Sequence, residues 1–276
     1  MHLKRYYHAR DFLRDIGAFL REAPEMNNLM LGLLHPLHAQ DENPDALFLT
    51  LQDGDRRLVS MMSGLHLILF ANTTEPLIYE EAVRYLDAEG IDYPGIIGPL
   101  EICEAFKHAY EKKTGRTMVE GMRQRIFVIR SIAPCATPGM SLVAAEIEHL
   151  AFLMPWMRGW FNEIGEVERI ASSEEQLKKM IHDKCLYVLE HEGTFVSMAA
   201  GIRPFMRTIS VGYVYTPPEK RNRGYATRCV GRLTEKLLED YEMCTLYTDL
   251  ANPTSNSIYR KLGYRPVGDS IVYKKV

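Results

Sequence analysis

The 276-residue chain has little excess charge of either sign: 33 lysines and arginines stand against 36 aspartates and glutamates, a net charge of -3. Without a dominant basic field, no nucleic-acid partner is expected. Its five cysteines, Cys103, Cys135, Cys185, Cys229 and Cys244, are dispersed and lack any CxxC pair, which argues against a disulfide scaffold or structural zinc site and for a reducing compartment. The nine histidines show no HExxH or other compact ligand spacing, so no metal is expected. Long apolar runs are missing too. The opening MHLKRYYHARDF meets charge before any apolar core builds up, so neither a secretory signal nor a membrane span is expected, and the cytoplasm is the expected compartment.

What is present, 46% hydrophobic and 25% charged residues, is the composition of a globular protein with one large domain or two of about 135 residues each. Periodicity predicts helices near 8–20 and 25–35, then strands at Leu47 to Leu51, Arg57 to Met62 and Leu65 to Phe70. Helical spacing follows at 75–88 and 99–111, with a short strand at Ile96 and Ile97 between them, and Met118 to Ile132 turns extended at its end. APCATPG then marks a linker at 133–139. Beyond it, helices are predicted at Ser141 to Asn162 and Ser173 to Ile181. Strands follow at Cys185 to Glu190, Thr194 to Ala200 and Thr208 to Tyr215. A helix at Tyr225 to Leu238, a strand at Thr245 to Leu250, a helix at 254–262 and a strand at 265–274 complete the chain. Each half reads helix, helix, three strands, helix, strand, helix, strand. The expected division is therefore 1–132 and 133–276, with a duplicated fold preferred over two unrelated domains or one continuous one.

The densest chemistry lies in YVYTPPEKRNRGYATRCVGRLTEKLLEDY, where a β-branched and aromatic strand runs through Pro217-Pro218 and Arg221-Asn222-Arg223-Gly224-Tyr225-Ala226 into an amphipathic helix. Such a turn aims backbone N–H groups and the positive end of a helix at one place, which suits a phosphate or pyrophosphate; Arg221 and Arg223 add charge, and Gly224 permits close approach. A solvated basic turn before a surface helix is the alternative reading. Neither GxGxxG nor GxxxxGK[ST] is present, so no dinucleotide or P-loop site is indicated.

One helix later comes CTLYTDLANPTSNSIYRKLGYRPVGDSIVY. With it, residues 206–275 resemble the acyl-CoA-binding core of the GNAT superfamily of acetyltransferases: Arg221, Gly224 and Ala226 match its R/Q-x-x-G-x-G/A loop, followed by Asn252, Tyr259 and the Gly263-Tyr264 turn. A weaker likeness extends back to Ser141. The resemblance implies an α/β (or α+β) fold, a mixed, mostly antiparallel sheet flanked by helices, and the shared element order implies its duplication in tandem. The first half has no RxxGxA loop after its third strand. It keeps Gly98, Phe106, Tyr110 and Gly115 in a faintly similar arrangement, as in a degenerate copy without a cofactor loop, though plain core packing explains these residues equally well.

The resemblance also implies roles. The backbone from Arg221 to Ala226, with Asn222, Arg223 and Tyr225, would bind the pyrophosphate of acetyl-CoA, the acyl donor, and Tyr213, Val214 and Tyr215 would offer main-chain groups to its pantetheine arm. Tyr259 would protonate the leaving thiolate as general acid. Asn252 would tie the cofactor arm or cap the helix after Pro253, with Asn256 in reserve. The implied reaction is acetyl transfer to a primary amine of a small molecule or peptide by direct attack through a tetrahedral intermediate; the alternative is a non-catalytic acyl-CoA-binding or regulatory module. No general base announces itself: Glu146, Glu163, Glu190, Tyr215, His149 and His191 read first as solvated or structural groups and only second as a base. Phe152, Trp156, Trp160 and Phe161 at helical spacing read as core or as an acceptor-pocket wall, and Cys229 and Cys244 as core.

Overall fold

The computed structural model describes residues 1–40, 46–64, 66–135 and 137–276. Leu65, where the third strand is expected to begin, and Ala136 of the linker lie outside the described residues. Two compact units divide the chain. Unit 1 comprises Met1–Ile126, Thr248–Asn252 and Pro266–Val276; unit 2 comprises Phe127–Tyr247 and Pro253–Arg265.

Unit 1 opens with β1 (His2–Tyr6), α1 (Ala9–Arg21) and α2 (Asn28–His38), then the antiparallel run β2 (Leu47–Asp53), β3 (Arg56–Met62) and β4 (Leu67–Ala71), followed by α3 (Pro76–Ala88), β5 (Gly95–Pro99), α4 (Leu100–Thr114) and β6 (Met118–Ile129). The half after it repeats this order: β7 (Met140–Ala144), α5 (Leu150–Glu163), α6 (Ser173–His182), β8 (Leu186–His191), β9 (Thr194–Phe205), β10 (Thr208–Tyr215), α7 (Tyr225–Leu237), β11 (Met243–Asp249), α8 (Pro253–Lys261) and β12 (Arg265–Lys275). The shared order seen in the sequence is thus present, with a leading strand added to each half.

Both leading strands escape periodicity for the same reason. They are edge strands with few buried positions: β1 pairs antiparallel with β2, and β7 with β8. The helix expected over Ser141 to Asn162 is corrected accordingly, because SLVA is extended and paired from Ser141↔Glu190 to Ala144↔Tyr187. Helical backbone begins only after a capping box in which Glu146 and His149 satisfy one another's backbone N–H groups.

Strand pairing also departs from the linear division at 132/133. Within unit 1 the order is β1-β2-β3-β4-β5-β12-β6, so the last strand of the chain lies antiparallel to β5, from Ser270↔Pro99 to Lys274↔Gly95. Within unit 2 the order is β11-β10-β9-β8-β7, and the end of β6 contributes Phe127 and Ile129 to its core. Helices α3 and α4 supply Tyr79, Leu86, Ile102 and Phe106 to the core of unit 1, together with Ile271 and Tyr273 of β12. Unit 2 has two apolar clusters. Val230 and Leu233 of α7 pack with Val211, Leu246 and Tyr259 in one, while Trp156 and Phe161 of α5 pack with Tyr213 and Tyr215 in the other. Among the described residues, no helix is long and apolar enough to cross a membrane.

Candidate functional site in the second unit

Three departures from regular structure converge on β10. First, its parallel ladder with β11 covers only Thr208↔Met243, Ile209↔Cys244 and Ser210↔Thr245. Beyond Ser210 the strand remains paired on its other side to β9, so the main chain of Val211 to Tyr215 is open toward β11 to an extended ligand. Second, Gly212↔Ala200 is followed by Tyr215↔Met198, leaving Tyr213 and Val214 opposite Ala199 alone. Tyr213 takes a positive φ of 52° to make this bulge, an uncommon conformation for a bulky side chain. The bulge reverses the facing of the strand: Ile209 and Val211 point to the α7 cluster, whereas Tyr213 and Tyr215 point to the α5 cluster.

Third, the strand runs directly into the glycine turn. Ser197 Oγ donates to the Tyr215 carbonyl at 3.0 Å, and the Arg221 guanidinium donates to the Thr216 carbonyl at 2.8 Å. Asn222 and Gly224 both adopt left-handed backbone, at φ 62° and 74°. Gly224 is the residue from which α7 starts, and no side chain caps it. The first N–H groups of α7, on Tyr225, Ala226 and Thr227, have no partner inside the helix by its geometry, and they add to the positive end of the macrodipole. An anion fits there.

The loop arginines divide their labour differently from the sequence expectation. Arg221 is engaged by Glu163 and lies over the Tyr215 ring, 5.6 Å from its centroid, so it braces the turn. Arg228, which sequence reasoning missed, reaches back from the first turn of α7 to donate to the Arg223 carbonyl at 2.9 Å. Its guanidinium stands beside Gly224, placing a cation at the helix start. The signal was present, since i+4 from a cap glycine lies over the first turn.

Tyr225 is buried, and its hydroxyl meets His191 Nδ1 at 3.1 Å. Ala226 is half-buried and Asn222 and Arg223 are exposed. Tyr259 is buried in the cluster holding Val211, Leu246 and Cys229, with Phe127 and Tyr264 rings 6.2 and 6.0 Å away; burial pushes its phenol up to about 12. Asn256 is half-buried on the same helix. Asn252 directly precedes α8 and falls in the short segment assigned to unit 1.

Four of the base candidates are engaged in the fold, Glu163 with Arg221, Glu146 with His149, and His191 with Tyr225, while Glu190 is half-buried on β8. Cys229 and Cys244 are fully buried, each thiol pushed up to about 12 by burial, as core residues are. The aromatic group on α5 is split. Trp156 and Phe161 are buried, Phe152 is 45% exposed, and Trp160 stacks on Tyr213 with ring centroids 4.3 Å apart. Gly159 lies between them, where a Cβ would collide with the Tyr215 hydroxyl. Gly159→Ala gains about 1 kcal/mol of helix propensity but forces overpacking worth about 1–3 kcal/mol. A net fall in Tm is expected, partly recovered when Tyr215→Phe removes the obstructing hydroxyl; a rise in Tm for the single variant would contradict this packing.

The corresponding region of unit 1 is built differently. After Leu67↔Ile96 and Ile68↔Ile97, Gly98 keeps β5 so close to β4 that a Cβ would strike the Leu69 carbonyl. Glu75 sits at the start of α3 with Pro76 as its first residue, placing a carboxylate at the helix end where unit 2 has a glycine. Phe106 and Tyr110 are core residues, and Gly115 is a left-handed helix terminator at φ 69°.

Residues 192–271 match the model of the FR47-like proteins, a GNAT-related family. Among curated proteins no relative matches the chain. Solved structures match over its whole length: a Drosophila protein (12% identity, 99% of this chain and 98% of that one, TM-score 0.68) and a GNAT-family acetyltransferase from Colwellia psychrerythraea (12%, 100% and 99%, TM-score 0.61). A tandem GNAT protein from the clavulanic acid biosynthesis pathway also matches, at 12% identity over 100% of this chain and 98% of that one, with a TM-score of 0.58. At such identities the likeness is one of fold. The chain is a tandem of two GNAT folds, and its second copy carries the family-model match together with the opened strand, the glycine turn and the helix start.

Proposed function

We propose that unit 2 is an acetyl-CoA-dependent N-acetyltransferase that passes the acetyl group to a primary amine of a small molecule or peptide by direct attack. The observation that carries this reading is the continuity of the β10 backbone, open from Val211 to Tyr215, with the Arg221 to Ala226 turn and the uncapped start of α7. An extended amide-bearing arm suits the open strand edge, and a pyrophosphate suits the turn. Acetyl-CoA supplies the activated thioester carbonyl. The amine adds to that carbonyl to form the C–N bond of a tetrahedral intermediate; as its oxyanion collapses the C–S bond breaks, the thiolate takes up a proton and the nitrogen gives one up.

The main chain around the Tyr213 bulge offers donors toward a developing oxyanion. Tyr259 stays a neutral phenol across the working pH range. Burial raises its pKa to about 12, above that of an ordinary thiol at about 8.5, so complete proton transfer is uphill and its contribution is a hydrogen bond that strengthens as charge builds on sulfur. The expected loss in Tyr259→Phe therefore lies at the low end of acid catalysis, a roughly ten- to hundredfold fall in kcat with KM for acetyl-CoA unchanged. Thiol release across a panel of amines, alongside calorimetric titration with acetyl-CoA, tests the reading. Absence of acetyl-CoA binding would sink it, and binding without turnover on any amine would support the non-catalytic alternative.

A further inference from the structure

Arg203 is a buried charge that the proposed chemistry has not used. It lies in a second bulge, where Arg203 and Pro204 together face Ile209 between the pairs Ser210↔Ile202 and Thr208↔Phe205. Its φ of 53° is again left-handed. Arg203 and Tyr213 thus occupy two bulges of one strand pair, both held in a conformation unfavourable to side-chain-bearing residues, and such outliers gather where a side chain must be re-aimed.

Arg203 is aimed at the end of the β10–β11 ladder. Arg203 Nη2 donates to Ser210 Oγ at 3.0 Å, at the last residue of the β10–β11 ladder, and its guanidinium lies 5.2 Å from the centre of the Tyr247 ring on β11. The Tyr213 phenol feels both Arg169 and Arg203. The arginines differ in one respect: Arg169 is matched by Glu166 at 2.7 Å, whereas Arg203 contacts Ser210 and the Tyr247 ring and, among the described residues, forms no ion pair with a carboxylate. Its Nε is shielded from solvent and makes no hydrogen bond. Burial pushes the guanidinium below its usual pKa. Arginine is rarely buried without a partner, because the charge loses its hydration. The residue as a whole is only half-buried, which leaves a way in.

We infer that the Arg203 guanidinium, at the point where β10 and β11 part, binds an anionic oxygen group, a carboxylate or phosphate, carried by the acceptor amine. This rests on the acetyltransferase reading for the word acceptor; the anion site stands on the geometry alone.

Two measurements test it. In the first, tryptophan fluorescence is titrated with malonate, with inorganic phosphate and with neutral malonamide, since Trp160 stacks on Tyr213 and both tryptophans of the chain lie on α5. A saturable change with malonate or phosphate, absent with malonamide and lost in Arg203→Gln, is expected; whichever anion binds more tightly names the group. In the second, an amino acid and its amide are compared as acceptors. Arg203→Gln is expected to raise KM at least tenfold for the acid only and to leave acetyl-CoA affinity within twofold, with Arg203→Lys recovering part of the loss.

No anion response in the wild type, or an equal one in Arg203→Gln, overturns the site. Equal effects on acid and amide mark a structural cation, and weakened acetyl-CoA binding marks a donor-phosphate contact; either overturns the proposal. A wild type that binds anions but neither binds nor uses acetyl-CoA would sink the acetyltransferase reading while leaving the anion site intact.

Discussion

Gly224→Val is expected to abolish acetyl-CoA binding, raising Kd at least a hundredfold, or about 2.7 kcal/mol. At φ 74° a β-branched residue is a steric outlier, and its Cβ would stand 2.5 Å from Arg228 Nη1. The turn must then either relax its backbone, moving the N–H groups of Tyr225 to Thr227 off their common focus, or expel Arg228 from the helix start. Either loses the anion cradle, whereas the strain itself costs only about 1–3 kcal/mol, which a folded unit of this size survives. Calorimetry of the variant should register no residual site, because the start of α3 in unit 1 holds Glu75 and Pro76. Asn222→Gly is the control. It removes a side chain from an exposed position already at φ 62°, and affinity should stay within about threefold. Wild-type affinity in Gly224→Val would refute the assignment of the turn.

Ending the chain at residue 264 is expected to unfold unit 1, although the deleted strand is far from that unit in sequence. Strand β12 carries Ile271 and Tyr273 into the core of unit 1, at 0% and 7% exposure. At about 1.5–3 kcal/mol per buried side chain their removal costs about 3–6 kcal/mol, before the lost ladder along β5 is counted. A domain has about 5–15 kcal/mol in all. The fit is close: a Cβ on Gly95 would strike the Tyr273 carbonyl, and Lys275 lies 3.5 Å from the centre of the Tyr93 ring. Loss of cooperative thermal unfolding, or of soluble protein, is the expected result. A chain of residues 1–264 that melts like the full protein would show β12 to be dispensable. By the same reasoning, a fragment beginning at 133 leaves Phe127 and Ile129 out of the core of unit 2 and is expected to be less stable than one beginning at 118.

Legibility in the sequence followed the range of the interactions. Helix α7 and strand β10 were read to within a residue because amphipathic periodicity and β-branched alternation are local, and the turn between them announced itself through proline, arginine and glycine at short spacing. The edge strands β1 and β7 were not read, since a strand with one neighbour and few buried positions leaves no alternation to detect. Arg228 was missed because its role depends on a side chain folding back over Gly224, and Arg203 because its bulge lies past Ala200, where the strand read from the sequence ended, although the adjacent Pro204 is a residue that strands accept at bulges.

The amino-acid order by itself determined the repeated succession of helices and strands, the glycine turn at the head of α7, and its absence from the first half, all features held within a dozen or so residues. Only the tertiary structure decided that β12 completes unit 1, that β10 parts from β11 after Ser210, and that Arg203 and Tyr213 occupy two bulges of one strand pair. Strand pairing and bulge position depend on backbone hydrogen bonds between segments far apart in the chain, and every residue but proline carries the same N–H and C=O groups.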